Sequence, residues 1–282
     1  MHRTLIGTQE LAGHLEDPLW RVVDCRFSLL DPPRGRGDHA RSHVPGAVYA
    51  HLDEDLSAPV QPGRTGRHPL PDPDDLARRL SDWGIDSSTQ VVAYDDGGGG
   101  IAARLWWLLR WLGHDAAAVL DGGWAAWTAA GLPVDARQPS PPRRLFRPAP
   151  RPELLLPTNE VAAWAADGRH CLLDAREAPR YRGEAEPIDA VAGHIPGALS
   201  APYLDNLGPD GRWLPAAALE ARYRSILGTR AAADCAVYCG SGVTAAHDVL
   251  AMVHAGLGEP RLYAGSWSEW ITDPSRGVAT GG

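Results

Sequence analysis

The sequence VVDCR at residues 22–26 returns as LLDAR at residues 172–176, an offset of 150 residues measured from Asp24 to Asp174. Three further signatures recur in the same order at offsets of 151, 144 and 143: HVPGA at 43–47 with HIPGA at 194–198, VAY at 92–94 with AVY at 236–238, and GWAAW at 123–127 with SWSEW at 266–270. Chance rarely preserves order and spacing together, so the chain is predicted to contain one domain twice.

A proline-rich stretch separates the two copies. Residues 138–152 read QPSPPRRLFRPAPRP, and prolines at this density disfavour helix and central strand and favour a stiff, extended connector. We therefore predict a first domain at 1–137, a linker at 138–156 and a second domain at 157–282.

Short apolar runs alternate with helix-length segments in both copies. The runs lie at 20–24, 90–94 and 117–120 in the first copy and at 171–174, 235–238 and 261–263 in the second. They are apolar on both faces, which is typical of parallel strands covered by helices on both sides. The predicted fold class is thus α/β, with a parallel sheet flanked by helices in each domain. Thr8 and Thr158 are expected to cap the first helix of each domain.

Composition excludes several function classes. The 282 residues are 44% hydrophobic and 22% charged, as in a folded globular protein, and the net charge of −8 disfavours a general nucleic-acid binder. No lysine is present, which excludes Schiff-base chemistry and a P-loop. No apolar run approaches the length of a membrane span. Four cysteines are too few for a disulfide scaffold, so reduced thiols and a cytoplasmic location are predicted.

The two copies differ at the loop that follows their second apolar run. The first copy continues from Tyr94 with DDGGGG at 95–100, and the second continues from Tyr238 with CGSGVT at 239–244. A Gly-bearing loop between a strand and a helix presents backbone N–H groups that bind anions, and the helix dipole adds positive potential. A thiolate at Cys239 gains from this setting, so the loop is expected to lower the pKa of the thiol and make it a nucleophile.

Three alternatives to a nucleophilic Cys239 are a buried structural cysteine, a zinc site and a phosphatase-type loop. Most cytosolic cysteines are buried and unreactive, and this is what we expect of the other three cysteines. The first copy acts as an internal control, because Asp95 stands at the corresponding place. A zinc site lacks a second ligand pair, and a phosphatase-type loop lacks its arginine because Ala245 stands there. No metal and no cofactor are therefore expected.

On these motifs the chain resembles the two-domain sulfurtransferases of the rhodanese and 3-mercaptopyruvate sulfurtransferase family. The resemblance covers nearly the whole chain and implies two tandem rhodanese-like domains, the first without a catalytic cysteine. The loop at 239–244 matches the mercaptopyruvate type, since thiosulfate enzymes of the animal type carry Arg and Lys where this chain has Gly240 and Ser241.

The resemblance also implies roles for individual residues. Cys239 is the implied nucleophile, Ser241 is implied to work with His68 and Asp53, and Arg180 is implied to hold the substrate anion. The remaining loop residues implied to bind substrate are Gly240, Gly242, Val243 and Thr244. One departure concerns the second arginine that mercaptopyruvate enzymes usually carry near the Glu-Pro pair, where this chain continues with Ile188 and Asp189. The resemblance thus implies a mixed substrate pocket, with a neutral loop and one arginine that matches the family.

The predicted function is transfer of sulfur from 3-mercaptopyruvate to a thiol or cyanide through a persulfide on Cys239. The expected partners are the small-molecule donor and a thiol acceptor or reduced redox protein, with no nucleic acid and no membrane. Thiosulfate sulfurtransferase activity is the first alternative. A persulfide carrier without turnover and a purely structural duplicated module are two further alternatives.

Overall fold

Every strand of the protein belongs to one of two parallel sheets. The computed structural model describes all 282 residues, which divide into two units. Unit 1 comprises residues 1–58, 70–151 and 209–213, and unit 2 comprises residues 59–69, 152–208 and 214–282. The domain boundaries at 137 and 157 stay a prediction. Residues 59–69 belong to unit 2, which also contains Cys239.

Unit 1 contains five parallel strands and five helices. The strands are β1 (Leu5–Ile6), β2 (Trp20–Asp24), β3 (Val48–Tyr49), β4 (Gln90–Tyr94) and β5 (Ala117–Leu120), in the spatial order β1-β5-β4-β2-β3. The helices are α1 (Thr8–Ala12), α2 (Arg34–Arg41), α3 (Pro73–Asp82), α4 (Gly100–Trp111) and α5 (Gly123–Ala129). The three predicted strands of this copy match β2, β4 and β5.

Unit 2 repeats this architecture. Its strands are β6 (Cys171–Asp174), β7 (Leu199–Ser200), β8 (Cys235–Tyr238) and β9 (Arg261–Leu262), in the order β7-β6-β8-β9, and its α-helices are α6 (Thr158–Ala166), α7 (Ala178–Tyr181), α8 (Ala216–Leu227), α9 (Ala245–His254) and α10 (Ser266–Trp270). An isolated parallel bridge from Leu155 to Leu262 takes the place that β1 holds beside β5 in unit 1. The predicted α/β class with parallel sheets is confirmed.

Helices cover both faces of each sheet. On one face of unit 1, Leu11 of α1 and Trp127 of α5 join the core formed by β1, β2, β4 and β5, and in unit 2 the helices α6 and α10 pack in the same way. On the other face, α4 packs against β4 and β5, and α9 packs against β8 and β9. Strands β4 and β8 are buried along their whole length, which explains why their sequences are apolar without alternation.

The predicted helix caps are wrong by one position. Helix α1 begins at Thr8 and α6 begins at Thr158, so the capping residues are Gly7 and Pro157, and neither provides a side-chain cap. The repeated aspartates occupy equivalent places in the two units, because Asp24 pairs with Arg26 at 2.6 Å and Asp174 pairs with Arg176 at 2.6 Å.

Residues 138–151 form neither helix nor strand, as their prolines predict. They hydrogen-bond along unit 1: Arg144 N–H donates to Ser81 O, Ala149 N–H to Leu112 O and Arg151 N–H to Trp111 O, at 2.8–3.0 Å. No helix in the chain combines the length and apolar character needed to cross a bilayer.

Candidate active site

Cys239 lies at the carboxyl end of β8, the strand between β6 and β9 in the sheet of unit 2. In parallel α/β sheets this edge is where ligands bind. The loop from 239 to 244 then turns into α9, and Gly242 has a φ of +76°. A Cβ at Gly242 would lie 2.2 Å from Ala264 O, so only glycine permits this turn against the neighbouring backbone.

Hydrogen bonds tie the start of this loop to α10. The amide of Trp267 donates to Cys239 O at 2.9 Å, and the amide of Ser268 donates to Gly240 O at 2.9 Å. The amide of Gly242 donates to Cys239 Sγ at 3.1 Å. Cys239 is buried, with 1% of its surface exposed. The rate at which small reagents alkylate its sulfur therefore measures their access to it.

Ser266 holds the backbone of the cysteine itself. Its hydroxyl oxygen accepts the amide of Cys239 at 3.0 Å and donates to Tyr263 O at 2.9 Å. Ser266 is the one non-glycine residue in the chain with a positive φ, at 55°. Strain of this kind persists where the surrounding structure enforces it, and it clusters at functional sites. Sequence analysis missed Ser266, although the offset of 143 aligns it with Gly123, whose φ is 54°.

The loop of unit 1 shows what this backbone binds. There the Asp95 carboxylate accepts four amides: Gly97 and Gly99 donate to Oδ1, and Ile101 and Ala102 donate to Oδ2, at 2.8–2.9 Å. The aligned amides in unit 2 belong to Ser241, Val243, Ala245 and Ala246.

Most of these unit 2 amides carry no internal acceptor. The amide of Ala246 donates to Val243 O, whereas those of Ser241, Val243 and Ala245 make no hydrogen bond within the chain. Two predicted substrate-binding residues lie in this part of the loop: Val243 is buried, and Thr244 directly precedes α9. The loop of unit 2 retains amide donors that unit 1 satisfies with its own carboxylate.

Ser241 and His68 form a buried pair in unit 2. His68 Nδ1 lies 2.7 Å from Ser241 Oγ, and the two residues are 3% and 6% exposed. His68 belongs to the segment 59–69, so the structure brings together two of the predicted residues that are 173 positions apart.

Asp53 belongs to unit 1 and lies in the turn that follows β3. Its amide lies 3.2 Å from His51 Nδ1, and partial burial raises the pKa of its carboxyl. The assignment of Asp53 to the site stays a prediction.

Arg180 lies on α7 and is held by buried carboxylates. Its Nε and Nη2 donate to Glu186 at 3.0–3.1 Å and 2.7 Å, and its Nη2 also lies 3.1 Å from Asp189 Oδ2. A Cβ at Gly240 would lie 3.6 Å from Arg180 Nη1, which places this guanidinium beside the residue that follows Cys239. Arg180 therefore lies beside the loop, and its role in binding the substrate anion stays a prediction.

A second arginine, Arg67, approaches the loop besides Arg180. Arg67 Nη2 lies only 2.8 Å from where a Cβ at Gly240 would be, so a second guanidinium approaches the loop. Arg67 Nη1 forms an ion pair with Asp189 Oδ1. Sequence analysis missed Arg67 because its contacts are formed with residues more than 120 positions away.

The other three cysteines, Cys25, Cys171 and Cys235, are buried and unpaired. No group of three or more His, Cys, Asp or Glu side chains is placed to hold a metal ion. The arrangement at Cys239 thus offers a thiol, backbone amide donors, a Ser–His pair and two guanidinium groups.

Comparison with known proteins places this geometry in a family. The model of the rhodanese-like domain matches residues 7–130 and again residues 158–273. A Pseudomonas aeruginosa protein, named a probable 3-mercaptopyruvate sulfurtransferase, is 52% identical over 278 residues, covering 98% of each chain. The thiosulfate sulfurtransferase of Rattus norvegicus is 30% identical over 282 residues, covering 96% of this chain and 93% of its own.

A solved structure agrees with these relatives. The 3-mercaptopyruvate sulfurtransferase from Leishmania major superposes with a TM-score of 0.82 at 33% identity, covering 95% of this chain and 74% of its own. Two matches to the domain model, together with relatives of 30% identity or more over nearly the whole chain, show that this chain belongs to the rhodanese family and contains two rhodanese domains.

Proposed function

We propose that this protein is a sulfurtransferase that moves sulfur from 3-mercaptopyruvate to a thiol or cyanide through a persulfide on Cys239. The relatives named above carry this activity or the thiosulfate-dependent one in their names. The cysteine belongs to the second domain, and the first domain carries Asp95 at the corresponding position.

One observation carries the proposal: loop amides that hold a carboxylate in unit 1 have no internal acceptor in unit 2. The outer sulfur of a cysteine persulfide stands the same number of bonds from Cα as a carboxylate oxygen of aspartate. The amides of Ser241, Val243 and Ala245 can therefore donate to a persulfide anion much as Gly97, Gly99 and Ile101 donate to Asp95. Backbone donors aimed at a developing charge are a large source of catalysis.

The first half-reaction consumes the donor. The thiolate of Cys239 attacks the sulfur of 3-mercaptopyruvate, the S–S bond forms and the C–S bond breaks. The bonding electron pair remains on carbon as the enolate of pyruvate, which takes up the proton of the donor thiol. The products are pyruvate and a persulfide anion on Cys239.

Ser241 and His68 supply the route for that proton. Their 2.7 Å contact lets the hydroxyl and the imidazole exchange a proton between donor thiol and enolate carbon. Asp53 is proposed to orient the imidazole, as the acid does in other catalytic triads. Arg180 is proposed to hold the carboxylate of the donor.

The second half-reaction restores the enzyme. A thiolate or cyanide attacks the outer sulfur, and Sγ of Cys239 leaves as a thiolate, so the acceptor departs as a persulfide or as thiocyanate. A thiol or a reduced redox protein is the proposed physiological acceptor. A cytoplasmic location is proposed because all four cysteines are free.

Thiosulfate is the second candidate donor, because Ile188 and Asp189 follow the Glu-Pro pair near which mercaptopyruvate enzymes usually carry a second arginine. A relative also carries the thiosulfate-dependent name. The test is kcat/KM for both donors on the purified protein, with cyanide as acceptor. We expect mercaptopyruvate to be preferred. A higher kcat/KM with thiosulfate would reverse the assignment of donor, and absence of turnover with both would favour a carrier.

A further inference from the structure

We propose that Arg67, together with Arg180, forms a two-guanidinium site over Gly240 that binds the anionic group of the sulfur donor. The inference rests on the proposed function, which supplies the donor, and it adds a specificity-determining residue from the segment 59–69.

Both guanidinium groups converge on the residue after the nucleophile. A Cβ at Gly240 would lie 2.8 Å from Arg67 Nη2, 3.5 Å from Arg180 Nη2 and 3.6 Å from Arg180 Nη1. A side chain at this position would displace Arg67, so the bare backbone of Gly240 is what lets the two cations approach the loop.

The segment that carries Arg67 is docked closely against α10. A Cβ at Gly66 would lie 2.5 Å from Gly265 O and 2.7 Å from Ser268 Oγ, and the amide of Arg67 donates to Ser268 Oγ at 3.1 Å. Ser268 in turn donates its amide to Gly240 O. One short helix therefore fixes both the cysteine loop and the backbone of Arg67.

Asp189 links the two arginines. Its Oδ1 pairs with Arg67 Nη1, its Oδ2 lies 3.1 Å from Arg180 Nη2, and its side chain is 4% exposed. Glu186 occupies the Nε and Nη2 edge of Arg180. The two carboxylates thus hold both guanidinium groups in fixed orientations beside Gly240.

Three nitrogens of the two guanidinium groups make no hydrogen bond. Arg67 Nε is buried without a hydrogen-bond partner, and Nη2 makes no hydrogen bond, so the fork formed by these two nitrogens is unpaired. Arg180 Nη1 is likewise unpaired. A guanidinium fork matches a carboxylate or a sulfonate bidentately, and an unpaired buried donor gains most from such an acceptor. Burial lowers the pKa of Arg67, and the nearby charge of Cys239 opposes that effect.

The test compares two alkylating reagents of similar size on Cys239. Iodoacetate carries a carboxylate and iodoacetamide is neutral, so the ratio of their rates reports the cations at the loop without requiring turnover. Rates at Cys239 are followed by peptide mass spectrometry. We expect Arg67→Gln to lower the iodoacetate-to-iodoacetamide ratio by about tenfold, because a charge-assisted hydrogen bond is lost. Arg64→Gln, at an exposed arginine of the same segment, is the matched control and should leave the ratio unchanged.

A ratio in folded Arg67→Gln within about twofold of the wild-type value would overturn the proposal. The double variant Arg67→Gln/Asp189→Asn removes the ion pair from both sides, and it gives the same readout if the single variant does not fold.

Failure of the proposed function is a separate outcome. If wild-type Cys239 reacts with neither reagent, the nucleophile is refuted, and calorimetric binding of pyruvate then decides the role of Arg67. We expect the Kd for pyruvate to be about tenfold weaker in Arg67→Gln. An unchanged Kd would overturn the two-arginine site.

Discussion

The loops that follow β4 and β8 correspond in sequence, but their backbone amides differ in what accepts their hydrogen bonds. In unit 1 the carboxylate of Asp95 accepts four amides of its own loop. In unit 2 Cys239 Sγ accepts the amide of Gly242, and the amides of Ser241, Val243 and Ala245 have no acceptor in the chain.

The amides without an acceptor make the second loop suited to binding an anion. Asp95 places a carboxylate at the position where, in the proposed sulfur transfer, Cys239 acquires a negative charge. Burial raises the pKa of Asp95, which the four amide bonds oppose, so this carboxylate depends on the amides for its charge. A buried persulfide anion has the same requirement.

The largest expected effect comes from removing the nucleophile. Cys239→Ser should lower kcat/KM for 3-mercaptopyruvate by at least about a thousandfold, because an alcohol at this position is a far weaker nucleophile. Cys25→Ala, at a buried cysteine of unit 1, is the control and should retain activity. Turnover by Cys239→Ser at the wild-type rate would show that the residue distinguishing the two loops is not the nucleophile.

The next effect concerns proton transfer. Ser241→Ala should lower kcat with 3-mercaptopyruvate by roughly a hundredfold, since general acid–base catalysis is lost. With thiosulfate the effect should be much smaller, because sulfite leaves without taking up a proton. Exposed Ser225→Ala serves as the control. Equal slowing with both donors would contradict the proton route through Ser241 and His68.

A reciprocal exchange at the strained position separates activity from stability. Ser266→Gly loses the bond to the Cys239 amide and relieves the positive φ, so kcat/KM should fall about threefold to tenfold while the Tm changes little. Gly123→Ser should instead destabilise unit 1 by about 1–3 kcal/mol, because its Cβ would lie 2.4 Å from Asp95 O. An unchanged kcat/KM in Ser266→Gly would remove Ser266 from the site.

The smallest effect is a pH dependence of stability. Asp248 on α9 stands where unit 1 has Arg104 on α4, and both residues are buried. Burial raises the pKa of Asp248 to about 7, although the charge of Arg222 and a 2.8 Å hydrogen bond from Asn206 favour the carboxylate. The folded state therefore holds a proton that the unfolded state releases near pH 4.

The sign follows from that difference in bound protons. The free energy of unfolding should fall as the pH rises from about 4 to about 7, by a few kcal/mol at most. Asp248→Asn should remove this dependence, which urea unfolding at several pH values measures. The same pH dependence in the variant would place its origin elsewhere.

Local features of the site follow from sequence because they depend on neighbouring residues. The apolar runs of β4 and β8 match the observed strands residue for residue, and Cys239 lies at the strand end as expected. The offset between the copies also aligns Asp95 with Cys239 and so identifies the loop that differs.

Features of the site that depend on contacts between residues far apart in the chain could not be predicted from the sequence. The approach of Arg67 to Gly240 requires a segment near residue 67 to pack on α10, and an ion pair with Asp189 holds it there. A lone arginine beside a histidine carries no sequence signal for such packing. The repeat alignment could have identified Ser266, because it pairs this serine with Gly123. A hydroxyl thus stands where the backbone has a positive φ.

The most direct test of the account is a single turnover without acceptor. The protein is mixed with 3-mercaptopyruvate, released pyruvate is quantified, and peptide mass spectrometry locates any added sulfur. We expect one pyruvate per chain, with one extra sulfur atom on Cys239 that cyanide removes as thiocyanate. Pyruvate release without sulfur on Cys239, or sulfur bound at another cysteine, would contradict it.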